Sequence, residues 1–131
     1  MMYTDVVLDH FSNPRNVGTM ENPDGYAKVE SSACGDLMEM YIKVDDGRIS
    51  DIKYRTFGCA AAIASSSIAS EVIKGQPLEV AEMITDEEII EALGGLPDIK
   101  RHCSILAASA LHKALEDYYK KHAEAHSKAE V

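Results

Sequence analysis

Cysteine is scarce in this chain of 131 residues: there are three, Cys34, Cys59 and Cys103, and no two of them form a C-x-x-C pair. So sparse and odd a set writes neither a disulfide framework, nor a zinc ribbon, nor a ferredoxin-type cluster loop into the linear sequence. No uncharged apolar run approaches the roughly 18 residues of a membrane span. The N-terminus, Met1-Met2-Tyr3-Thr4-Asp5, lacks the cationic and apolar stretches of a signal peptide. The expectation is a cytoplasmic, unprocessed chain that associates with no membrane and whose thiols stay reduced. Positive charge is short as well: 13 Lys and Arg stand against 22 Asp and Glu, a net charge of −9. Lys100-Arg101 and Lys120-Lys121 are the only clustered cations, too few for a phosphate-backbone footprint, so no nucleic-acid partner is expected. Internal repeats, an interdomain linker and low-complexity segments are absent too.

What is present suffices for one hydrophobic core. With 46% hydrophobic and 27% charged residues the composition is that of a globular domain, expected over 1–122 and followed by a polar tail over 123–131. Apolar residues at Tyr3, Val6, Val7, His10 and Phe11 predict a short helix stopped at Asn13-Pro14. A strand is expected over Tyr26 to Ser31. Met38, Met40, Ile42 and Val44 alternate with Glu39, Tyr41 and Lys43. Asp45-Asp46-Gly47 then predicts a hairpin turn, and Ile52, Tyr54 and Thr56 mark the return strand. After Cys59 the run Ala60 to Lys74 reads as a helix ended by Gly75. Leu78 to Ile84 reads as a short helix, and Thr85 with Glu88 as a capping box for Asp86 to Leu93. A last helix is expected to start near Cys103 and to fray beyond Lys121. The sum is an α+β domain: a three-stranded antiparallel sheet with helices packed on one face and the cysteines gathered at one exposed end.

Each cysteine falls at a change of structure type, Cys34 in a loop, Cys59 between strand and helix, Cys103 at a helix start. Two therefore lie near helix N-termini, where the dipole and free N–H groups favour the thiolate that ligates metal or attacks sulfur. The plain alternative for any single one is a small buried hydrophobe. Asp36 beside Cys34 and His102 beside Cys103 offer an oxygen or nitrogen ligand, and three thiolates with one of them complete four-coordination. The spacings, 25 residues from Cys34 to Cys59 and 44 from Cys59 to Cys103, leave such a site to be assembled by the tertiary fold. Ser65-Ser66-Ser67 lacks a recognisable nucleophile motif, which argues against serine catalysis.

Four stretches carry a resemblance: Asp9-His10-Phe11-Ser12-Asn13-Pro14-Arg15-Asn16-Val17-Gly18; Ala33-Cys34-Gly35-Asp36; Phe57-Gly58-Cys59-Ala60-Ala61-Ala62-Ile63-Ala64-Ser65-Ser66-Ser67; and Leu96-Pro97-Asp98-Ile99-Lys100-Arg101-His102-Cys103-Ser104-Ile105-Leu106. In this order and spacing the chain resembles the IscU family of iron–sulfur cluster assembly scaffolds, also met as the N-terminal domain of NifU. The resemblance implies an IscU/SufE-like fold and a non-enzymatic scaffold. On it an IscS/NifS-like cysteine desulfurase deposits sulfur, iron binds, and a [2Fe-2S] cluster forms before passing to apo iron–sulfur recipient proteins. It further implies Cys34, Cys59 and Cys103 as cluster ligands, Asp36 as the carboxylate tied to cluster lability, His102 as an alternative fourth ligand and Cys103 as the sulfur acceptor. Zinc is a second occupant of the empty site. The alternative is a SufU-like zinc-bound sulfur acceptor using the same cysteines and Asp36; a metal-free interaction domain is a third reading.

The chain departs from the family's Leu-Pro-Pro-Val-Lys stretch at Asp98, which replaces the second proline. An Hsp70-type chaperone partner is thereby put in question, since that proline stiffens an extended peptide. Ala60-Ala61 replaces the usual Gly-Ser. Asn13-Pro14-Arg15-Asn16 is expected to be a turn, with partner docking as the other reading, and His112 a structural residue. A homo-oligomer is compatible with all of this.

Overall fold

The computed structural model describes residues 3–31 and 35–130, with side chains as far as His122. The sheet is antiparallel in the order β1 (Gly25–Glu30), β2 (Leu37–Asp45), β3 (Arg48–Phe57). Its hairpin turns at Asp46 and Gly47, both with positive φ (52° and 72°). Such a two-residue turn suits the twist of the flanking strands. The register runs Tyr26↔Tyr41↔Lys53 and Lys28↔Glu39↔Arg55, then shifts between Lys43 and Val44. That irregularity has a cause in the side chains: Ile49 and Ile52 are both buried yet an odd number of residues apart, which a regular strand of period two forbids and a bulge allows.

One sheet face carries Ala27, Val29, Met38, Met40, Ile42, Ile52 and Tyr54 into the core. The helices cover that face alone, as expected from the alternation. On the other face the rings of Tyr26 and Tyr41 lie 5.0 Å apart, and both hydroxyls donate to Glu39, which also faces Arg55.

Helix α1 (Asp5–Ser12) starts at Thr4, whose Oγ1 accepts from the Val7 N–H and donates to the Leu93 carbonyl, tying the helix start to a residue 89 positions on. Helix α2 (Ala60–Ile73) is buried almost all round, because Ala and Ser let α1, β3 and the last helix approach it together. Next come α3 (Leu78–Glu82) and α4 (Asp86–Ala92). At α4 Thr85 caps the Glu88 N–H at 3.2 Å. A single 3₁₀ turn (Asp98–Lys100) leads into α5 (Arg101–Glu130). The last helix begins near Cys103 as expected, at Arg101, so that Cys103 sits within its first turn. Its polar end, expected to fray, continues as helix to Glu130, in keeping with the helix-forming character of Ala, Glu and Lys. No helix among the described residues is long and apolar enough to cross a membrane.

Candidate functional site

Chain topology brings three segments to one end of the sheet. The first is the loop from β1 to β2, where the Gly35 N–H donates to the Ser31 carbonyl and the Ser31 N–H to the Asp36 carbonyl, both at 2.8 Å. The second is the junction of β3 and α2, where Cys59 is the N-cap residue in extended conformation. The third is the 3₁₀ turn and first helical turn of α5. Of the expected site residues, Asp36, Cys59, His102 and Cys103 converge there; Cys34 lies outside the described residues.

The sulfurs of Cys59 and Cys103 are 3.6 Å apart and not joined by a disulfide. Cys103 Sγ lies 3.9 Å from Asp36 Oδ2 and 3.5 Å from His102 Nε2, and that nitrogen is 4.0 Å from Asp36 Oδ2. The ligand atoms of Asp36, Cys59 and Cys103 all fall within 4.8 Å of one another. Two thiolates on a tetrahedral centre with bonds of 2.3 Å would be about 3.8 Å apart, so the two sulfurs already stand at the edge length such a metal needs. The set is chemically mixed: two soft sulfurs, one hard carboxylate oxygen and one imidazole nitrogen.

Burial divides these groups. Cys103 is fully buried against Ala61 and Ala62, with Tyr3 and Leu96 packed around it, and Asp36 is 5% exposed. Cys59 and His102 are both half-buried; with Gly35, Asp36, Phe57, Gly58 and Lys100 they line a cavity of about 380 Å³. The expectation of cysteines at an exposed end is thus corrected for Cys103, which the packing of α5 on α2 closes off from solvent.

The cationic pair Lys100-Arg101 is split by the turn. Arg101 faces Glu87 at 2.6 Å, away from the cysteines, whereas Lys100 lines the cavity. The negative charge of Cys59, and after it that of Tyr3, holds the Lys100 ammonium above the ordinary lysine value of 10.5. Lys100 thus sets a positive charge beside the cavity. Adjacency in sequence pointed at both cations; only the geometry of the 3₁₀ turn selects one.

A second polar cluster is separate from this site. Ser67 Oγ, fully buried, lies 2.7 Å from His10 Nδ1 and accepts the Arg15 N–H at 3.0 Å; His10 Nε2 is 4.0 Å from Glu71. A serine, a histidine and an acid are therefore in line, an arrangement the sequence did not disclose. With Ser67 closed to substrate it serves to hold the turn after α1 against α2. The Asn13-Pro14-Arg15-Asn16 segment is that turn: Asn13 caps α1, and the Asn16 amide donates to Ser70 at 3.0 Å.

Residues 2–125 match the family model described as the NifU-like N terminal domain. The chain is 59% identical over 120 residues to the iron–sulfur cluster assembly scaffold protein IscU 1 of Archaeoglobus fulgidus, covering 92% of this chain and 78% of that protein. It is 49% identical to IscU of Haemophilus influenzae, over 92% of this chain and 98% of that one. Among solved structures, a NifU-like N-terminal protein of Brucella abortus shares the fold at 21% identity with a TM-score of 0.72, covering 90% of this chain and 94% of its own. FiSufU of Fervidobacterium islandicum does so at 24% identity and a TM-score of 0.67, covering 86% and 96%.

Proposed function

The chain belongs to the NifU-like N-terminal domain family, and on that premise we propose that it is a scaffold on which an iron–sulfur cluster is built and from which the cluster is handed to recipient proteins. The observation that carries this reading is the pair of sulfurs 3.6 Å apart, flanked by a carboxylate and an imidazole and bordering an open cavity. Ferredoxin-type resident clusters are held by four cysteine thiolates. Here the oxygen of Asp36 and nitrogen of His102 bind iron less softly than sulfur does, which suits a cargo meant to leave. Cys34 joins the ligand set by the resemblance of its motif. The cargo is a [2Fe-2S] cluster, and the role is that of a scaffold rather than an enzyme. Zinc fits the same four-coordinate set when iron is absent. Relatives 49% and 59% identical are IscU scaffold proteins by name, whereas the SufU neighbour, described as an assembly scaffold for the SUF system, stands at 24% identity and shows the fold alone.

Sulfur comes from a cysteine desulfurase that carries a persulfide. Cys103, closed off at rest, is reached when the first turn of α5 parts from α2; its thiolate then attacks the outer sulfur, a new S–S bond forms on Cys103, and the desulfurase thiolate leaves. An external dithiol then supplies the electrons that turn this sulfur into sulfide. Lys100 draws the anionic persulfide toward the cavity. Cys59 is the more open of the two described sulfurs, so the order of labelling discriminates. With desulfurase and cysteine but no iron, mass spectrometry after alkylation finds the first added sulfur on Cys103, in both metal-free and zinc-loaded protein. First appearance on Cys59 or Cys34 in the metal-free protein refutes the assignment.

Anaerobic reconstitution with desulfurase, cysteine, dithiol and ferrous iron tests the function. The expected result is visible charge-transfer absorption with bound iron and sulfide, both lost to an added apo-ferredoxin. Protein that accepts sulfur, keeps zinc and takes up no iron points instead to the zinc-bound acceptor. The Hsp70-type chaperone that Asp98 puts in question is tested by the transfer rate of wild type and Asp98→Pro with chaperone and ATP present: acceleration of the Asp98→Pro variant alone excludes it as a partner of this chain.

A further inference from the structure

Gly58 is not required by its backbone, because its φ lies outside the left-handed region that favours glycine. Its neighbours supply the requirement. A Cβ at this position would stand 2.5 Å from Asp36 Oδ1, 2.8 Å from Asp36 Cγ and 3.3 Å from the Cβ of Ala62. Ordinary contacts between such atoms are about 3.5 to 4.0 Å. Ala62 is fully buried on α2 and has nowhere to retreat, so the carboxylate has to move by roughly an ångström. Its backbone is held by the bond from the Ser31 N–H. A side-chain rotation that escapes the methyl then either carries the oxygens away from the sulfurs or presses them onto Cys103.

We propose that Gly58 is a positioning residue: the space left by its missing side chain is the seat of the Asp36 carboxylate and sets how closely a hard oxygen stands beside the two sulfurs. This rests on Asp36 belonging to the metal-holding set described above. Gly58 touches no cargo itself and acts through Asp36.

The test is a double-mutant cycle on the full chain, with zinc alone as the probe and affinity read by competition with a chromophoric chelator. Asp36→Ala and Gly58→Ala are each expected to weaken zinc by roughly tenfold. The double variant is expected to be no weaker than Asp36→Ala, because removing the carboxylate also removes the clash. Three results overturn the proposal: Gly58→Ala binding zinc as wild type does, the two losses multiplying in the double variant, or Asp36→Ala leaving zinc affinity unchanged. Far-UV circular dichroism accompanies each measurement. If Gly58→Ala does not fold, the double variant should fold; a double variant that also stays unfolded puts the clash elsewhere and overturns the proposal. Cluster reconstitution on wild type is scored separately. A protein that obeys the zinc cycle yet assembles no cluster refutes the scaffold reading while supporting the role of Gly58.

Discussion

Helix α2 carries a polar constellation at its N-terminal end and another along its second half, and the two differ in how their groups are satisfied. In the second half Ser66, Ser67 and Ser70 are fully buried and engaged at ordinary hydrogen-bond lengths. Ser66 reaches Thr56 at 2.7 Å and the Ala62 carbonyl at 2.9 Å, Ser67 meets His10 and Arg15, and Ser70 donates to the Ser67 carbonyl at 2.7 Å. At the N-terminal end Cys103 stands 3.5 to 3.9 Å from Cys59, Asp36 and His102, beside a cavity. A buried polar group with a short partner holds a fold together; soft and hard ligand atoms spaced at metal-edge distances hold something else. The serine end is built for stability and the cysteine end for cargo, and mutations should separate the two.

The largest effect is expected at the cysteines. Cys59→Ser or Cys103→Ser should reduce cluster retention by at least about tenfold, as should Cys34→Ser, read by bound iron and sulfide. Far-UV circular dichroism should hardly change. Cys103→Ser alone should in addition cost about 1 to 3 kcal/mol in denaturant unfolding, because it buries a hydroxyl where Cys59 is half open. Full cluster retention in any of the three removes that residue from the ligand set.

Ser67→Ala is the converse. It strands His10 Nδ1 and the Arg15 N–H, and should cost about 1 to 3 kcal/mol while leaving zinc affinity and cluster lifetime as in wild type. A changed cluster lifetime in this variant would join the two ends of α2 and break the comparison.

The hard ligands are expected to act in opposite directions on a bound cluster. Asp36→Ala should lengthen the cluster's lifetime and slow its transfer to apo-ferredoxin, because the path by which oxygen competes for iron is gone. His102→Ala should shorten it and abolish any histidine nitrogen coupling in pulsed EPR of the reduced protein. Equal lifetimes in wild type and both variants would count neither residue as a ligand.

The smallest effect concerns pH at the serine end. Burial, and after it the charge of Arg15, pushes the His10 pKa below the ordinary 6.5, while Glu71 and Asp9 pull weakly the other way. The unfolded chain therefore binds the proton more tightly than the folded one. The stability this represents is present above about 6.5 and is lost as the pH falls below that value toward the lower folded-state pKa. The thermal midpoint should step down in that window, and His10→Gln should flatten the step. Asp9, held low by its bonds from Arg15 and Asn13, acts in a separate window below its ordinary 3.8. A step that survives His10→Gln belongs to another group.

Much of this architecture was legible along the chain. The alternation from Met38 to Val44, the Asp46-Gly47 turn, the cap at Thr85 and the stop at Gly75 are local signals, since each depends on residues a few positions apart. The bulge that buries both Ile49 and Ile52 was not legible, because it answers to the core on the far side of the strand. Nor was the depth of Cys103, which depends on Ala61 and Ala62 more than 40 residues away.

By itself the sequence determined the α+β class, the acidic surface, the placing of Cys59 and Cys103 at helix starts, and, through four ordered motifs, the family. The tertiary structure alone decided that Cys59 and Cys103 meet at 3.6 Å, that Lys100 and not Arg101 faces them, and that Ser67 finds His10 across 57 residues. Backbone propensity and hydrophobic period act over a few residues and can be read in order. A metal-ready cluster is made by side chains from distant segments, and the packing of α1, α2 and α5 on one sheet face sets which of them converge.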